Sequence, residues 1–133
     1  MKKVLHTYLD LFEKLEPNKI NELMNLIDKN FIFEDPFQKI KGKNQFRNLL
    51  EKMFKKLQKP QFAILKVYED NSFYIVKWKF SCTVFKKNIS FLGISEIYIK
   101  NNLVSSHIDY WDSGRNFYAR LPLLGSIFRI LHR

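Results

Sequence analysis

Two short segments, far apart in the chain, set carboxylates among large apolar side chains: Phe33-Glu34-Asp35-Pro36-Phe37 and His107-Ile108-Asp109-Tyr110-Trp111-Asp112. Apolar surroundings penalise the anion, so the pKa of such a group climbs toward values useful for taking and returning a proton. Read functionally, Asp35 is a general base placed among Phe31, Phe33 and Phe37, able to abstract a proton next to a carbonyl. Read structurally, it is a turn residue ahead of a proline. In the second segment, strand alternation groups His107, Asp109 and Trp111 on one face and Ile108, Tyr110 and Asp112 on the other. A His and an Asp two residues apart can form an acid/base pair or a plain structural hydrogen bond. Each face holds a carboxylate and an aromatic ring, so alternation alone leaves open which one points inward.

Other chemistries find little footing. His6, His107 and His132 fall in different elements without ligand spacing, so no metal site is expected. The single cysteine, Cys82, sits in an apolar run and reads as a buried thiol; it allows no intrachain disulfide. Leu124-Gly125-Ser126 lacks the pattern of a phosphate loop. Gly93-Ile94-Ser95-Glu96-Ile97 lacks the second glycine of a nucleophile elbow and lies in a strand pattern. Proton-transfer chemistry in an apolar pocket needs no cofactor, and none is implied.

The elements that would hold these residues follow from periodicity. Val4, Leu5, Tyr8, Leu9, Phe12 and Leu15 predict a helix over 3–15, broken at Pro17-Asn18. Ile20, Leu23, Met24 and Ile27 predict a second helix over about 19–29, followed by a short strand, Phe31-Ile32-Phe33, and a turn at Ile40-Lys41-Gly42-Lys43. Phe46, Leu49, Leu50, Met53, Phe54 and Leu57 predict a third helix over 43–58, stopped by Pro60. Lys43, Arg47, Lys52, Lys55, Lys56 and Lys59 line its other side as a solvated face. The period then becomes two. Strands are expected over 62–68, 73–85, 89–99 and 103–111, separated by turns at 69–72, 86–88 and 100–102, as an antiparallel meander. After Gly114 the chain turns helical again, with Pro122 and Gly125 dividing the tail.

Helices segregated from an antiparallel sheet define an α+β domain. The expected architecture is a cone-shaped curved antiparallel sheet wrapped around three N-terminal helices, with a short helical C-terminal tail. The chain has 133 residues, 46% of them hydrophobic and 16% aromatic, which is material for one well-packed domain over 1–133. Gly and Pro number four each, too few for long irregular loops. Lys2 and Lys3 precede an amphipathic helix, unlike a secretory leader, and no window reaches the length of a membrane span; a cytoplasmic protein is expected. The net charge of +10 is carried mostly by lysine, and the aromatics fall at core spacings. Both features argue against a nucleic-acid partner, for which arginine forks and exposed stacking rings are the usual equipment. The tail from Phe117 to Arg133, with Arg120, Arg129 and Arg133 spread through it, is expected as a lid on the open end of the cone in preference to a membrane-surface contact.

This order of elements, with Phe33-Glu34-Asp35-Pro36 ahead of a Gly42 turn and a helix, resembles the nuclear transport factor 2-like superfamily. The closest branch is the SnoaL-like and ketosteroid-isomerase-like one, and the resemblance covers nearly the whole chain. It implies a cone with a deep apolar pocket, taking a small hydrophobic ligand with polar groups. Chemistry, where present, would be isomerase, cyclase or dehydratase chemistry, and a homodimer is implied through the outer sheet face that holds Lys66, Lys77 and Lys79. The isomerases' general base matches Asp35, and their oxyanion-hole tyrosine falls near Tyr8. Their second, protonated aspartate falls near Ser95, with Glu96 beside it. His107–Asp112 resembles the last-strand segment of limonene-epoxide-hydrolase-like members, with Asp109 on the functional aspartate; their Arg-x-Asp partner has no counterpart in Val76-Lys77-Trp78-Lys79. The candidate set is therefore Asp35, Asp109, Tyr8 and His107 for catalysis, and Phe33, Phe37, Trp78, Ser95 and Trp111 for ligand contact.

Overall fold

In the computed structural model, which describes residues 1–113, the first helix, α1 (Lys3–Glu13), buries Leu5, Tyr8, Leu9 and Phe12 along one stripe. A turn of 3₁₀ helix at Pro17–Lys19 leads into α2 (Ile20–Met24), far shorter than the expected 19–29. Ile27 satisfies helical spacing, yet it belongs to strand β1 (Ile27–Glu34). The cause is tertiary: the Val104 amide donates to the Leu26 carbonyl at 2.8 Å, and Ile27 pairs with Val104. A sheet edge therefore captures the chain just past α2 and fully buries the β-branched Ile27.

The expected turn at residues 40–43 is also partly strand. β2 (Lys39–Lys41) folds back on β1, pairing Phe33 with Ile40 and Glu34 with Lys39. Gly42 follows with φ +88°, a conformation that L side chains adopt at a cost, and its amide donates to the Phe31 carbonyl at 2.7 Å. Helix α3 (Lys43–Lys56) then lays Phe46 and Leu50 onto the core. It ends before Pro60. Leu57 is already extended, and Pro60 lies inside strand β3 (Gln58–Asp70), which is an edge strand and so tolerates a missing amide donor.

β3, β4 (Phe73–Val84), β5 (Lys87–Lys100) and β6 (Leu103–Tyr110) form the meander, each antiparallel to the next. Two hairpin turns, Phe85-Lys86 and Asn101-Asn102, have both residues at positive φ, the primed geometry whose twist matches that of the flanking strands. The sheet order is β2-β1-β6-β5-β4-β3. It is mixed, because β1 runs parallel to β6, and this replaces the purely antiparallel sheet expected from the meander. β4 buries Tyr74, Val76, Trp78, Phe80, Cys82 and Val84 in strict alternation, and β5 does the same from Ile89 to Ile99. Among the described residues the fold is thus three helices on a curved, unclosed six-stranded sheet. No helix among the described residues is long and apolar enough to cross a membrane. The expected tail helix and lid, Phe117–Arg133, lie outside the described residues.

Candidate functional site

Strand β6 carries the centre of the site. His107 and Asp109 point to the face that α1 covers, and Trp111 follows on the same side, while Tyr110 on the opposite face is half exposed. Cross-strand pairing supplies the neighbours: His107 lies between Phe33 of β1 and Ile97 of β5, and Asp109 stands opposite Ser95. One strand further on, Trp78 is paired with Gly93. A Cβ on residue 93 would lie 2.2 Å from Cη2 and 2.4 Å from Cζ2 of the indole. The ring therefore crosses β5 through the space that glycine leaves, and its Nε1–H donates to Ser95 Oγ at 2.7 Å.

These groups form one hydrogen-bonded chain. Tyr8 Oη is 2.7 Å from His107 Nδ1, His107 Nε2 is 2.7 Å from Asp109 Oδ1, and Ser95 Oγ is 3.0 Å from Nε2. Ser95 also donates to Asp109 Oδ1. The partners assign the protons for the neutral imidazole. A carboxylate oxygen facing Nε2 requires the hydrogen on Nε2, which leaves Nδ1 to accept from the Tyr8 hydroxyl. Burial, helped by the charge of Asp109, pushes the Tyr8 phenol well above its ordinary pKa and keeps its proton available to donate. Ser95 accepts from Trp78 and donates to Asp109. Donors from two strands, His107 on β6 and Ser95 on β5, thus converge on Oδ1, and Oδ2 meets no hydrogen-bond donor among the described residues. The imidazole is fixed by rings as well, with Phe33, Phe12 and Tyr8 centroids 5.3, 5.6 and 5.8 Å away and steeply inclined.

Asp35 caps the turn between β1 and β2. Its Oδ1 accepts from the amides of Phe37 at 2.8 Å and Gln38 at 3.0 Å, and Oδ2 accepts from Gln38 Nε2 at 3.2 Å. Burial raises its pKa from the ordinary carboxylate value, the three hydrogen bonds pull it back, and the charge of Asp109 adds to the rise. The residue is both the turn former and a wall of the cavity.

The cavity is lined by Asp35, Gln38, Ser95, His107 and Asp109 in an otherwise mainly apolar shell that includes Phe12, Phe33, Phe62, Trp78, Phe91 and Trp111. Its void is about 1050 Å³, counting the part that opens to solvent. Of the residues singled out from the sequence, Asp35, Phe33, Trp78, Ser95, His107, Asp109 and Trp111 line this one space. Tyr8 does not; it is fully buried behind the imidazole and reaches the cavity only through His107. Phe37 does not line it either; its ring meets Trp111 edge-on at 5.2 Å, while Trp111 stacks on Phe91 at 4.8 Å. Sequence reasoning passed over Gln38, Lys52 and Gly93. A lone glycine inside a strand pattern is the signal that marks Gly93, since it often means a close approach by another group. No group of three or more His, Cys, Asp or Glu side chains among the described residues could hold a metal ion.

The model of the SnoaL-like domain family matches residues 8–107. No protein of curated function matches the sequence. Among solved structures, a putative polyketide cyclase from Pseudomonas putida KT2440 superposes with a TM-score of 0.77 at 13% identity, over 90% of this chain and 96% of that one. An LEH-like epoxide hydrolase of M. tuberculosis gives 0.74 at 12% identity, over 96% and 89%. A protein with a ketosteroid isomerase-like fold from Catenulispora acidiphila DSM 44928, in complex with trimethylamine, gives 0.76 at 11% identity, over 89% and 92%. At these identities the structures speak for the fold alone. The family match spans most of the chain, including Tyr8, Asp35, Ser95 and His107, and the chain belongs to the SnoaL-like domain family.

Proposed function

We propose that this protein binds a hydrophobic small molecule carrying one or two polar groups, with its apolar body against the aromatic shell and a polar group at the Ser95–His107–Asp109 floor. The observation that carries this reading is the convergence of Asp109, Ser95 and His107 in a cavity whose walls are otherwise mainly apolar. Pockets built this way gain affinity from burial and orientation from a few placed polar groups. A thermal-shift screen of hydrophobic alcohols, ketones and carboxylic acids, followed by calorimetry, tests it. Saturable binding lost on Trp78→Ala is the expected result; absence of binding across the library overturns it.

A second reading has its own support. The Tyr8–His107–Asp109 chain presents a carboxylate fixed in place, with one oxygen held by donors and the other open. Such a group can act as a general base on a carbon acid without a cofactor, as isomerases, cyclases or dehydratases require. The similar folds of a putative polyketide cyclase and an epoxide hydrolase are compatible with chemistry in this cavity. Asp35 is the less available of the two carboxylates, because it is already engaged three times within its own turn. As a partner we propose a second copy of the chain, docked through the outer sheet face around Leu92, Ile94 and Tyr98.

A further inference from the structure

Lys52 is the one cation among the described residues that lines the cavity. It sits on α3 beside Leu49 and Met53, which line the same space. The residue is exposed although it lines the cavity, a combination that a long amphipathic side chain meets by laying its stem on apolar surface and keeping its ammonium in water. It has no ion-pair partner among the described residues. The two acidic groups of the cavity are engaged, Asp35 by the amides and side chain of its turn and Asp109 by His107 and Ser95. Both carboxylates keep their charge, so Lys52 is the one positive group on the lining that an anion can meet. Lys55 and Lys56 on the next turn of α3, and the net charge of +10, add to an attractive field for anions.

We propose that the ligand of this pocket is an amphiphilic anion, an apolar body bearing a carboxylate that stays at the rim against Lys52. The inference rests on the pocket reading above and names its ligand class. Two physical arguments fix the orientation. An anion left at the rim keeps most of its hydration, whereas one driven to the floor would be desolvated and would face the charge of Asp109. The floor offers an open carboxylate oxygen, which suits a hydroxyl or an acidic C–H of the ligand. Body inward and charge outward satisfies both ends of the cavity.

Matched probes test it. Naphthylacetic acid and naphthylethanol share the apolar body and differ in charge, and calorimetry on the full chain measures both at low and high salt. The acid is expected to bind about three- to fivefold tighter than the alcohol at low salt, the range of a partly exposed charge pair, with the preference shrinking as salt is added. Lys52→Gln is expected to abolish the preference, and a thermal unfolding midpoint close to the parent's checks that the variant is folded. Lys55→Gln, off the lining, is expected to retain the preference. Equal binding of the two probes by the unaltered protein, or a preference that survives Lys52→Gln, overturns the proposal while the pocket reading stands. Failure of both probes to bind overturns the pocket reading and the proposal with it.

Discussion

The indole of Trp78 occupies the space that a side chain at Gly93 would fill, and this overlap aims Nε1 at Ser95 Oγ, 2.7 Å away. Ser95 in turn donates to Asp109. The absence of a side chain on β5 thus bears on the orientation of a carboxylate on β6. Gly93→Ala would place a methyl group inside the ring, and the ring, buried among Phe62 and Phe91, has little room to retreat. The expected cost is about 1–3 kcal/mol of stability from overpacking, read from urea unfolding, together with a change in Trp fluorescence. An alanine variant with unaltered stability and spectrum would show that the contact does not constrain Trp78.

Removal of the Tyr8 hydroxyl tests the proton assignment. In Tyr8→Phe the imidazole keeps its Asp109 partner, and Nδ1 is left buried without its donor. Loss of one partner from a buried pair typically costs about 1–3 kcal/mol. Nitrogen-detected NMR of labelled histidine should report Nε2–H as the neutral tautomer of His107 in the parent protein and still in the variant, with the Nδ1 resonance shifted by loss of its donor. A parent spectrum with the hydrogen on Nδ1 would reverse the direction of the chain.

Asp35 ties stability to pH. Its pKa in the folded state lies above the ordinary value of 3.8, with burial as the first cause. A carboxyl group raised on folding favours the native state while protonated, and that contribution is lost as the pH rises through the folded-state value. Between pH 4 and neutrality, on the order of the interval above the unfolded value, the parent should lose stability that Asp35→Asn does not lose. The variant should therefore gain on the parent as the pH rises, by chemical denaturation at several pH values. Parallel profiles for the two proteins would remove Asp35 from the account.

Much of this arrangement is legible in the residues, for identifiable reasons. The alternation Tyr74, Val76, Trp78, Phe80, Cys82 marks β4 because one face is buried throughout, and the paired asparagines at 101–102 mark a hairpin because both adopt positive φ. Ile27 is not legible. It continues the helical spacing of Ile20, Leu23 and Met24, and only Val104, far along the chain, makes it a strand residue. The inward face of β6 is hidden for a similar reason: His107 and Asp109 face the interior because α1 supplies Tyr8 there, a relation no local pattern encodes. Lys52 was masked by its neighbours, since a lysine on a lysine-rich helix looks solvated whether or not its stem lines a cavity.

The outer sheet face supports a prediction about assembly. Leu92, Ile94, Tyr98 and Tyr110 are 52%, 41%, 43% and 52% exposed, and Ile94 is the cross-strand neighbour of both Tyr110 and Lys77. Large apolar side chains gathered on one exposed face commonly mark an interface. A homodimer is expected by sedimentation at micromolar concentration, with Ile94→Lys shifting it to monomer while leaving the fold intact. A parent protein that sediments as a monomer would count against this face as an interface.

The catalytic reading stands or falls on Asp109. Of the two candidate bases, Asp35 spends its carboxylate on the turn, and Asp109 has one oxygen held by His107 and Ser95 and the other without a donor among the described residues. A screen of enones, epoxides and polyketide-like substrates identifies any turnover. General-base catalysis contributes about 10²–10⁴-fold, so Asp109→Asn should lose about that much in kcat. Asn is nearly isosteric, so the variant should still fold and still bind ligand. Asp35→Asn should lose much less, because it alters the cavity wall without removing the open carboxylate oxygen. Tyr8→Phe should fall between them, acting through the orientation of His107, with kcat affected more than KM. Turnover that persists undiminished in the Asp35→Asn, Asp109→Asn double variant would refute the assignment of the base. Ligand binding without turnover on any substrate would leave the protein a binder, with the Tyr8–His107–Asp109 chain serving to orient a polar ligand group in place of moving its proton.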